Sequence, residues 1–375
     1  MKPDSGRAGE PHPCPASPVV RRDASLKAFN SFAIEARAER LVELREPGEL
    51  PAALDLLREH PPAAILGGGS NVLITRDLPG TVLQVALAGR RVLGEAPHGV
   101  LVEAAAGESW HAFVQWTLAQ GLSGLENLSL IPGSVGASPI QNIGAYGVEM
   151  RERFDSLDAV SLRDGTARRF DAAECAFGYR DSAFKHLGGG EWLITAVRFR
   201  LSRTPLLRLD YGEIREELRA MGIASPTPPD VARAVCAIRR RKLPDPVEIG
   251  NAGSFFKNPV VAAGLAERLR QAWPELPVHP AVPATPAIST TPAAPPSPDG
   301  PAAAAAAKLS AAWLIERCGW KGHRDGDAGV HERHALVLVN HGHASGAQIL
   351  ALAMRIRESV RQRFGIELET EPVVL

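Results

Sequence analysis

A twenty-residue segment, Leu128–Gly147, constrains the fold more than any other part of the chain. It contains four glycines and shows neither helical nor strand periodicity. An irregular stretch of this length inside a compact domain usually has a function. Its small residues let the backbone pass close to a large flat ligand. Three polar side chains (Ser138, Gln141, Asn142) and three apolar ones (Ile140, Ile143, Tyr146) are available to contact that ligand.

A second glycine-rich segment, Gly67–Asn71, separates two apolar runs at 63–66 and 72–74. Successive backbone N–H groups in such a turn can cradle an anion, and Ser70 and Asn71 add donors. Taken alone, the segment is more typical of a tight β turn, because it lacks both the GxGxxG pattern and the Lys-Ser/Thr of a phosphate loop. Two glycine-rich loops in one region predict a dinucleotide held by backbone contacts outside the Rossmann pattern.

Composition restricts the remaining classes of function. The 375 residues suffice for two or three domains, and 42 basic residues balance 42 acidic ones. A net charge of zero argues against binding to nucleic acid or anionic membranes. No apolar run approaches the roughly 18–20 residues that span a bilayer. Four scattered cysteines without a CxxC pair indicate a reducing compartment, so we expect a cytoplasmic protein.

Two segments are rich in proline and are expected to lie outside the packed core. Residues 1–24 have no apolar stretch and predict a disordered arm. Residues 277–307 predict an extended insertion of the polyproline type, in which the alanines at 302–307 can add a short helix. Because long surface loops cost little, this insertion is expected to be tolerated without a function, with docking as the alternative.

Regular elements surround these segments. Residues 47–60 predict an amphipathic helix with Leu50, Leu54 and Leu57 on one face. Near the C-terminus, residues 335–339 predict a strand, and Ser345 with Gln348 predicts a capping box that begins a long helix. That helix carries Ile349, Leu352, Met354, Ile356, Val360 and Phe364, and it ends at Gly365.

Three further residues are candidates for catalysis. Arg180 can fork onto a carboxylate, although Arg-Asp sequences are commonly surface ion pairs. Ser254 lies between Gly253 and Phe255, and the order of these residues does not fit a hydrolase nucleophile. Glu371 lies on a predicted terminal strand, where Pro372 is expected to remove one backbone donor. The histidines at 323, 331, 334, 341 and 343 lack acidic or cysteine partners at ligand spacing, so no metal site is predicted.

From about Leu26 to Leu375, apart from the insertion, the chain resembles the UDP-N-acetylenolpyruvoylglucosamine reductase family of flavoproteins. The matching motifs occur in the family's order; they are Asn30–Phe32, Ile65–Leu73, Ile131–Gly147, Tyr179–Ser182, Gly253–Pro259, Ala311–Ile315 and Leu368–Glu371. Leu209–Gly212 resembles the substrate-capping tyrosine loop of the family's longer subtype. Members of this family complete UDP-N-acetylmuramate for peptidoglycan synthesis.

The resemblance implies an α+β chain with a two-subdomain FAD-binding fold of the vanillyl-alcohol-oxidase type and a C-terminal α/β substrate-binding domain. Residues 25–88, completed by a terminal strand at 366–375, would form the first FAD subdomain. Residues 89–240 would form the second, and residues 241–365 would cover the substrate. The loop at 67–71 would lie near the pyrophosphate of FAD, and the loop at 133–146 would follow the flavin.

The same resemblance assigns individual residues. The expected FAD contacts are Gly67, Gly68, Gly69, Ser70, Asn71, Gly133, Gly136, Ser138, Gln141, Asn142, Ile143, Gly144, Ala145, Tyr146 and Ile194. The expected substrate contacts are Tyr179, Tyr211, Lys242 and Asn258, and the two last-named suit diphosphate oxygens. No partner beyond the enolpyruvyl sugar nucleotide and NADPH is implied, and we expect a monomer.

The implied reaction begins when NADPH reduces the flavin and leaves. Hydride then passes from flavin N5 to the enolpyruvyl alkene, while Arg180 and Glu371 stabilise charge at the substrate carboxylate. Ser254 supplies the proton. Since the carboxylates of Glu371 and of the substrate would repel each other, Glu371 would be protonated with a raised pKa or act through Arg180 or water. Two alternatives stay open: a flavin oxidase of the same superfamily that uses oxygen, and a non-catalytic nucleotide-binding protein.

Overall fold

The computed structural model describes residues 16–186, 191–211, 213–281 and 306–375. The helices in these ranges are α1 (Leu50–Glu59), α2 (Trp110–Ala119), α3 (Ala172–Cys175), α4 (Ala183–His186), α5 (Ile214–Ala220), α6 (Pro228–Lys242), α7 (Ala263–Ala272), α8 (Ala311–Arg317) and α9 (Gly346–Phe364). No helix in these ranges is long and apolar enough to cross a membrane.

The strands in the first half of the chain are β1 (Val19–Ser25), β2 (Arg37–Leu44), β3 (Pro62–Leu66), β4 (Val72–Leu73), β5 (Leu78–Val85), β6 (Arg90–Ala96), β7 (Gly99–Ala105), β8 (Gly144–Ala145), β9 (Val148–Glu149), β10 (Phe154–Ser161) and β11 (Ala167–Asp171). Those that follow are β12 (Trp192–Leu201), β13 (Gly250–Ser254), β14 (Val260–Ala262), β15 (Val278–Ala281), β16 (Ala306–Leu309), β17 (Arg324–Asp325), β18 (Ala328–Val330), β19 (Val337–Asn340) and β20 (Val373–Val374).

Four larger sheets organise these strands. The first has the order β1-β2-β5-β3, in which β2, β5 and β3 are parallel and β1 is antiparallel. The second, β11-β10-β12-β7-β6, is antiparallel throughout. The third is β13-β19-β18-β17 and the fourth is β14-β16-β15. Two short pairs, β20-β4 and β8-β9, lie beside the glycine-rich loops.

The first sheet is buried on both faces, as is usual for parallel strands. Leu41 and Val82 point into a core shared with α8, α9 and β13. The next residue of each strand, Val42 and Leu83, points into a second core shared with α2 and the antiparallel sheet. The first sheet is therefore the common wall between the two halves of the molecule, and the domain limits drawn from the sequence stay a prediction.

Helix limits follow from local chemistry. A capping box between Glu46 and Glu49 precedes α1, whose buried side is formed by Ala53, Leu54 and Leu57. The Ser345–Gln348 capping box begins α9 as predicted, and Gly365 ends it with φ +67°. Met354 differs from the prediction: it is 44% exposed, on the side of α9 away from the core.

Three expectations are wrong in part. Residues 19–24 belong to a strand, because β1 pairs along β2 through its backbone although nearly all its side chains are exposed. The ends of the insertion form a hairpin stem, in which Val278–Ala281 pair with Ala306–Leu309, so the alanines at 306 and 307 are in a strand and not in a helix. The predictions for residues 1–15 and 282–305 lie outside the described residues.

The terminal strand is also shorter than expected. Only Val373–Val374 pair as a strand, in parallel with β4. The N–H groups of Glu371, Val373 and Leu375 donate to Phe255, Asn71 and Leu73 respectively. Pro372 lies between two donating positions, so its missing N–H takes no hydrogen bond out of this pairing, and the expectation that it removes a donor from the strand ladder is wrong.

Candidate active site

A cavity of about 410 Å³ lies where the two glycine-rich loops meet β3 and β12. Gly67–Asn71 form one part of its wall, and Ser134, Gly136, Ala137, Ile140 and Gln141 form another. The ends of the two sheets contribute Ile65 and Ile194. The cavity is therefore an elongated, largely apolar slot with backbone amides along one side.

Steric contact between the two loops explains their glycines. A Cβ on Gly68 would stand 2.8 Å from the Cα of Gly133, closer than real Cβ atoms approach. A Cβ on Gly67 would collide with the Ser134 hydroxyl, and Gly69 adopts φ +59°, where a Cβ would meet the Phe29 carbonyl. Backbone lies directly against backbone here, which only glycine allows.

Two polar atoms in the cavity wall are buried without a hydrogen-bond partner among the described residues: Ser134 Oγ and Gln141 Oε1. Buried polar atoms are normally paired, so unpaired ones at a cavity indicate a ligand that supplies the partner. A flavin dinucleotide fits this wall, because its phosphates need the backbone donors of the loop at 67–71 and its ring system needs the apolar surface of Ile65 and Ile194.

The structure divides the predicted FAD contacts into two groups. Those that line the cavity are Gly67, Gly68, Gly69, Ser70, Asn71, Gly136, Gln141 and Ile194. Those outside its lining are Gly133, Ser138, Asn142, Ile143, Gly144, Ala145 and Tyr146. In the second group Ser138 donates to the Val135 carbonyl at 2.7 Å, and Asn142 donates to Glu149 at 3.0 Å and to the Gly178 carbonyl at 2.9 Å. These two side chains brace the loop from inside.

Several cavity residues were missed from the sequence. Trp192 and Phe184 add aromatic surface, and Lys185 adds a cation. Val373 and Leu375 bring the terminal strand to the same wall. Trp192, Val373 and Leu375 reach the cavity through strand pairing, and Phe184 and Lys185 reach it from the short helix α4, so nothing local marks them in the sequence. Ser134, in contrast, lies inside the glycine-rich segment already singled out.

Arg180 is held in one orientation by three contacts. Its Nε lies 2.9 Å from Glu371 Oε1, and its guanidinium donates to the Gly144 carbonyl at 2.8 Å. Its own carbonyl accepts a hydrogen bond of 2.6 Å from Lys185. The residue adopts φ +52°, a conformation that costs a non-glycine residue about 1–3 kcal/mol. The surroundings therefore maintain a strained arginine that points at Glu371.

Burial raises the pKa of Glu371 above its ordinary value, although Arg180, Lys185 and Lys257 all act to lower it. The carboxyl group is thus balanced between two effects: desolvation favours its neutral form, and the cations favour its charged form. A group in this position can change its protonation state during a reaction, which is typical of active sites.

Ser254 ends β13 beside the Glu371 segment. Gly253 precedes it with φ +70°, and Phe255, which follows it, is fully buried. The Phe255 carbonyl accepts the N–H of Glu371 at 2.9 Å. The backbone therefore places Ser254, at the end of a strand of the third sheet, close to the segment that carries Glu371.

The predicted substrate contacts fall into two groups. Asn258 lies beside Tyr179, whose ring is also near the Arg180 guanidinium, and its Oδ1 accepts the N–H of Ala311 at 2.9 Å. Lys242, at the end of α6, pairs with Glu213 at 2.7 Å. Tyr211 is 54% exposed and meets the Tyr146 ring edge-on at a centroid distance of 6.3 Å. An exposed tyrosine resting on the glycine-rich loop is suited to contact a ligand that arrives from solvent.

Arg239 was not identified from the sequence. Its Nε donates to the Leu130 carbonyl at 3.2 Å, and burial lowers its pKa, with Tyr146 and Arg180 close by. No carboxylate among the described residues pairs with it. The available signal was the spacing along α6: Arg239 follows the apolar Val235 by four residues, which places both side chains on the inner face of the helix.

These features define a class: a flavin-dinucleotide protein with a largely buried arginine–carboxyl pair beside the cavity. Residues 38–171 match the family model described as an FAD binding domain, and residues 245–375 match the C-terminal domain of UDP-N-acetylenolpyruvoylglucosamine reductase. The chain belongs to the UDP-N-acetylenolpyruvoylglucosamine reductase family. The predicted α+β architecture, an FAD-binding fold with a C-terminal substrate domain, is thereby confirmed.

Two relatives and one solved structure support this assignment. The reductase of Pseudomonas aeruginosa is 54% identical, covering 94% of this chain and 98% of the relative. That of Chromobacterium violaceum is 53% identical, covering 95% and 98%. The crystal structure of the reductase from Thermus caldophilus is 25% identical, with a TM-score of 0.61, covering 95% of this chain and 99% of that one. The match thus extends over both halves of the molecule.

Proposed function

We propose that this chain uses FAD and NADPH to reduce the enolpyruvyl group of UDP-N-acetylglucosamine enolpyruvate, with Arg180, Glu371 and Ser254 at the reacting end of the substrate. Membership of the reductase family supports FAD-dependent reduction as a step of peptidoglycan synthesis. The roles of single residues depend above all on the Arg180–Glu371 contact of 2.9 Å beside the cavity.

The chemistry that bound FAD supplies is hydride transfer: it accepts a hydride from NADPH and passes one to the terminal alkene carbon of the substrate. The loop at 67–71 offers backbone donors for the cofactor phosphates, and Ser134 and Gln141 offer unpaired polar atoms. Ile65 and Ile194 provide the apolar surface that excludes water from the reacting atoms.

Arg180 stabilises the negative charge that develops on the substrate carboxylate after hydride transfer. Its guanidinium is already fixed by Glu371 and the Gly144 carbonyl, so little reorganisation is needed when the charge appears. A preorganised donor of this kind contributes about 3–4 kcal/mol to a barrier. Glu371 orients Arg180, and in its protonated form it can also donate to the carboxylate without repulsion.

Ser254 donates its hydroxyl proton to the carbon next to the new C–H bond. Together the hydride and this proton convert the alkene to the saturated product. A general acid at this step contributes about 10²–10⁴ in rate. Lys242, Asn258, Tyr179 and Tyr211 bind the nucleotide end, with the exposed Tyr211 closing over it.

The test is carried out in the absence of oxygen and measures flavin reduction and flavin reoxidation separately. The FAD-loaded protein is reduced with NADPH, the substrate is added, and flavin absorbance is followed. Rapid reoxidation is expected in the wild type. Ser254→Ala should be reduced normally but reoxidised at least about 10³-fold more slowly, whereas Ser25→Ala, an exposed serine, should behave as wild type.

Two outcomes would contradict the proposal. Equal reoxidation rates for Ser254→Ala and the wild type would remove Ser254 from the reaction. A wild-type flavin that stays reduced until air enters would favour the oxidase alternative, and a flavin that NADPH cannot reduce would favour a non-catalytic binding protein.

A further inference from the structure

Lys185 connects the cofactor cavity with the Arg180–Glu371 pair. It lies in α4 and lines the cavity wall. The start of this short helix is fixed, because the buried Ser182 hydroxyl donates to the Ile140 carbonyl in the glycine-rich loop at 2.6 Å. From this position the Nζ of Lys185 donates to the Arg180 carbonyl at 2.6 Å. The helix therefore brings a cation to the backbone of a candidate catalytic residue.

The backbone that Lys185 contacts is a tight turn with an unusual residue in it. Gly178 and Asp181 pair across the turn, and the N–H of Gly178 donates to the Asp181 carbonyl at 2.9 Å. Arg180 is the third residue of this turn and adopts φ +52°. Glycine or asparagine normally occupies such a position, because a positive φ crowds the Cβ of other residues against the backbone. An arginine keeps this conformation only where its surroundings hold it.

The contacts with Glu371 and Gly144 hold the side chain of Arg180. They join its guanidinium to Glu371 Oε1 at 2.9 Å and to the Gly144 carbonyl at 2.8 Å. The bond from Lys185 acts at a different point, because it fixes the peptide group that follows Arg180. Fixing this peptide group restricts the backbone rotation that would relieve the strain and turn the guanidinium away from Glu371.

The charge of Lys185 acts on the same pair. The charged groups that face its ammonium group are Lys257, Asp181, Glu371 and Glu369. Glu369 is paired with Lys257. Asp181 lies 2.9 Å from the Nε2 of His186. The groups that face Glu371 in turn are Arg180, Lys185, Lys257 and the phenol of Tyr179. Lys185 therefore favours the charged form of the carboxyl group that Arg180 contacts.

We propose that Lys185 is a positioning residue for the reduction: its ammonium group holds the backbone of Arg180 so that the guanidinium faces Glu371 and the substrate carboxylate. This inference rests on the proposed function in taking Arg180 to act on that carboxylate. Lys185 acts through Arg180, in contrast to Ser254, which gives up a proton. The arginine is then ready for the developing charge before the substrate arrives.

The test follows flavin reduction and flavin reoxidation in the FAD-loaded full chain without oxygen. NADPH should reduce Lys185→Met within about twofold of the wild-type rate, whereas the enolpyruvyl substrate should reoxidise it about 10- to 100-fold more slowly, because a displaced guanidinium no longer meets the developing charge. Lys185→Arg keeps the charge and has donors, so it should regain most of the rate. Lys27→Met, at an exposed lysine, is the matched control and should behave as the wild type does.

A double-variant cycle shows whether Lys185 acts through Arg180. In an Arg180→Ala background, Lys185→Met should slow reoxidation less than about twofold, because the residue that it holds is absent. Equal losses in the two backgrounds would overturn the proposal. Equal losses in reduction and reoxidation would also overturn it, since they would indicate a general structural role. Weaker FAD binding with normal reoxidation of the loaded protein would do the same, since it would indicate a cofactor contact.

A measurement without turnover separates this inference from the proposed function. In urea unfolding between about pH 4 and 8, stability falls as Glu371 ionises. In Lys185→Met this fall should extend to higher pH by about half a pH unit or more, because a cation that favours the charged carboxylate has been removed. Adding Glu371→Gln should abolish the difference.

An unchanged pH dependence of unfolding in Lys185→Met would overturn the role of Lys185. A shifted dependence, combined with a wild-type flavin that the enolpyruvyl substrate does not reoxidise, would support that role and refute the proposed function.

Discussion

The backbone contact between Gly68 and Gly133, where the two glycine-rich loops meet, offers a direct test of the steric argument. In Gly68→Ala, the new Cβ would stand 2.8 Å from the Cα of Gly133 and 3.1 Å from its carbonyl carbon. Ordinary van der Waals contact begins near 3.4 Å, and both obstacles are backbone, so no side chain can rotate away. The two loops must part by roughly half an ångström, at the cost typical of overpacking, about 1–3 kcal/mol.

That cost appears in one of two places. If the two loops stay in contact in the FAD-free variant, the strain lowers the free energy of unfolding of that variant. If the loops move apart instead, FAD binding must bring them back together, and the affinity for FAD falls. In either case the free energy of unfolding of the FAD-loaded protein should fall by about 1–3 kcal/mol. A loss that appears wholly in binding corresponds to an FAD affinity about 5- to 150-fold weaker.

The assay pairs urea unfolding of the loaded protein with a fluorescence titration of FAD. Gly94→Ala is the matched control, because nothing lies within 4 Å of the position where its Cβ would be. Similar stability in the two variants, within 0.5 kcal/mol or so, together with unchanged FAD affinity, would refute the claim that backbone contact dictates the glycine.

Three further expectations follow from single features. Because burial raises the pKa of Glu371 above 4.5, the folded protein holds that proton more tightly than the unfolded chain. Stability from this source is present below the unfolded pKa and is lost as pH rises through the folded value; Glu371→Gln should abolish this loss in urea unfolding between about pH 4 and 8. Replacing residues 282–305 by Asn-Gly should join the paired Ala281 and Ala306 by a two-residue turn and keep turnover within about twofold; a tenfold loss would contradict the view that only the stem matters. Asn127 donates to the carbonyls of Tyr146 and Arg208 at 3.0 and 2.9 Å; Asn127→Ala should therefore raise the KM for the sugar nucleotide about 5- to 10-fold and leave flavin reduction by NADPH unchanged, and equal effects on both half-reactions would count against it.

The sequence predicted best where a local rule decides the structure. The glycine-rich loops were recognisable because only glycine tolerates their close approach, and Ser345 with Gln348 was recognisable because a capping box is a four-residue pattern. In the same way, the helical spacing of Leu54 and Leu57 was enough to predict α1 and its buried face.

Features that depend on distant partners were not predictable. Strand β1 is exposed and polar, so only its backbone pairing with β2 makes it a strand. Ser138 and Asn142 have the right chemistry for a ligand, but their hydrogen bonds to the carbonyls of Val135 and Gly178 could not be predicted from the sequence.

The hydrogen bond from Asn71 to the Glu371 carbonyl joins residues 300 positions apart. At ribosomal rates of about 5–20 residues per second, roughly 15–60 s separate the synthesis of the two ends of this contact. Throughout that interval the side of the first sheet that carries Leu41 and Val82 lacks the late elements that cover it. The cofactor pocket therefore closes only after residue 371 has been synthesised, and until the late elements follow, one apolar face of the first sheet is uncovered on the growing chain.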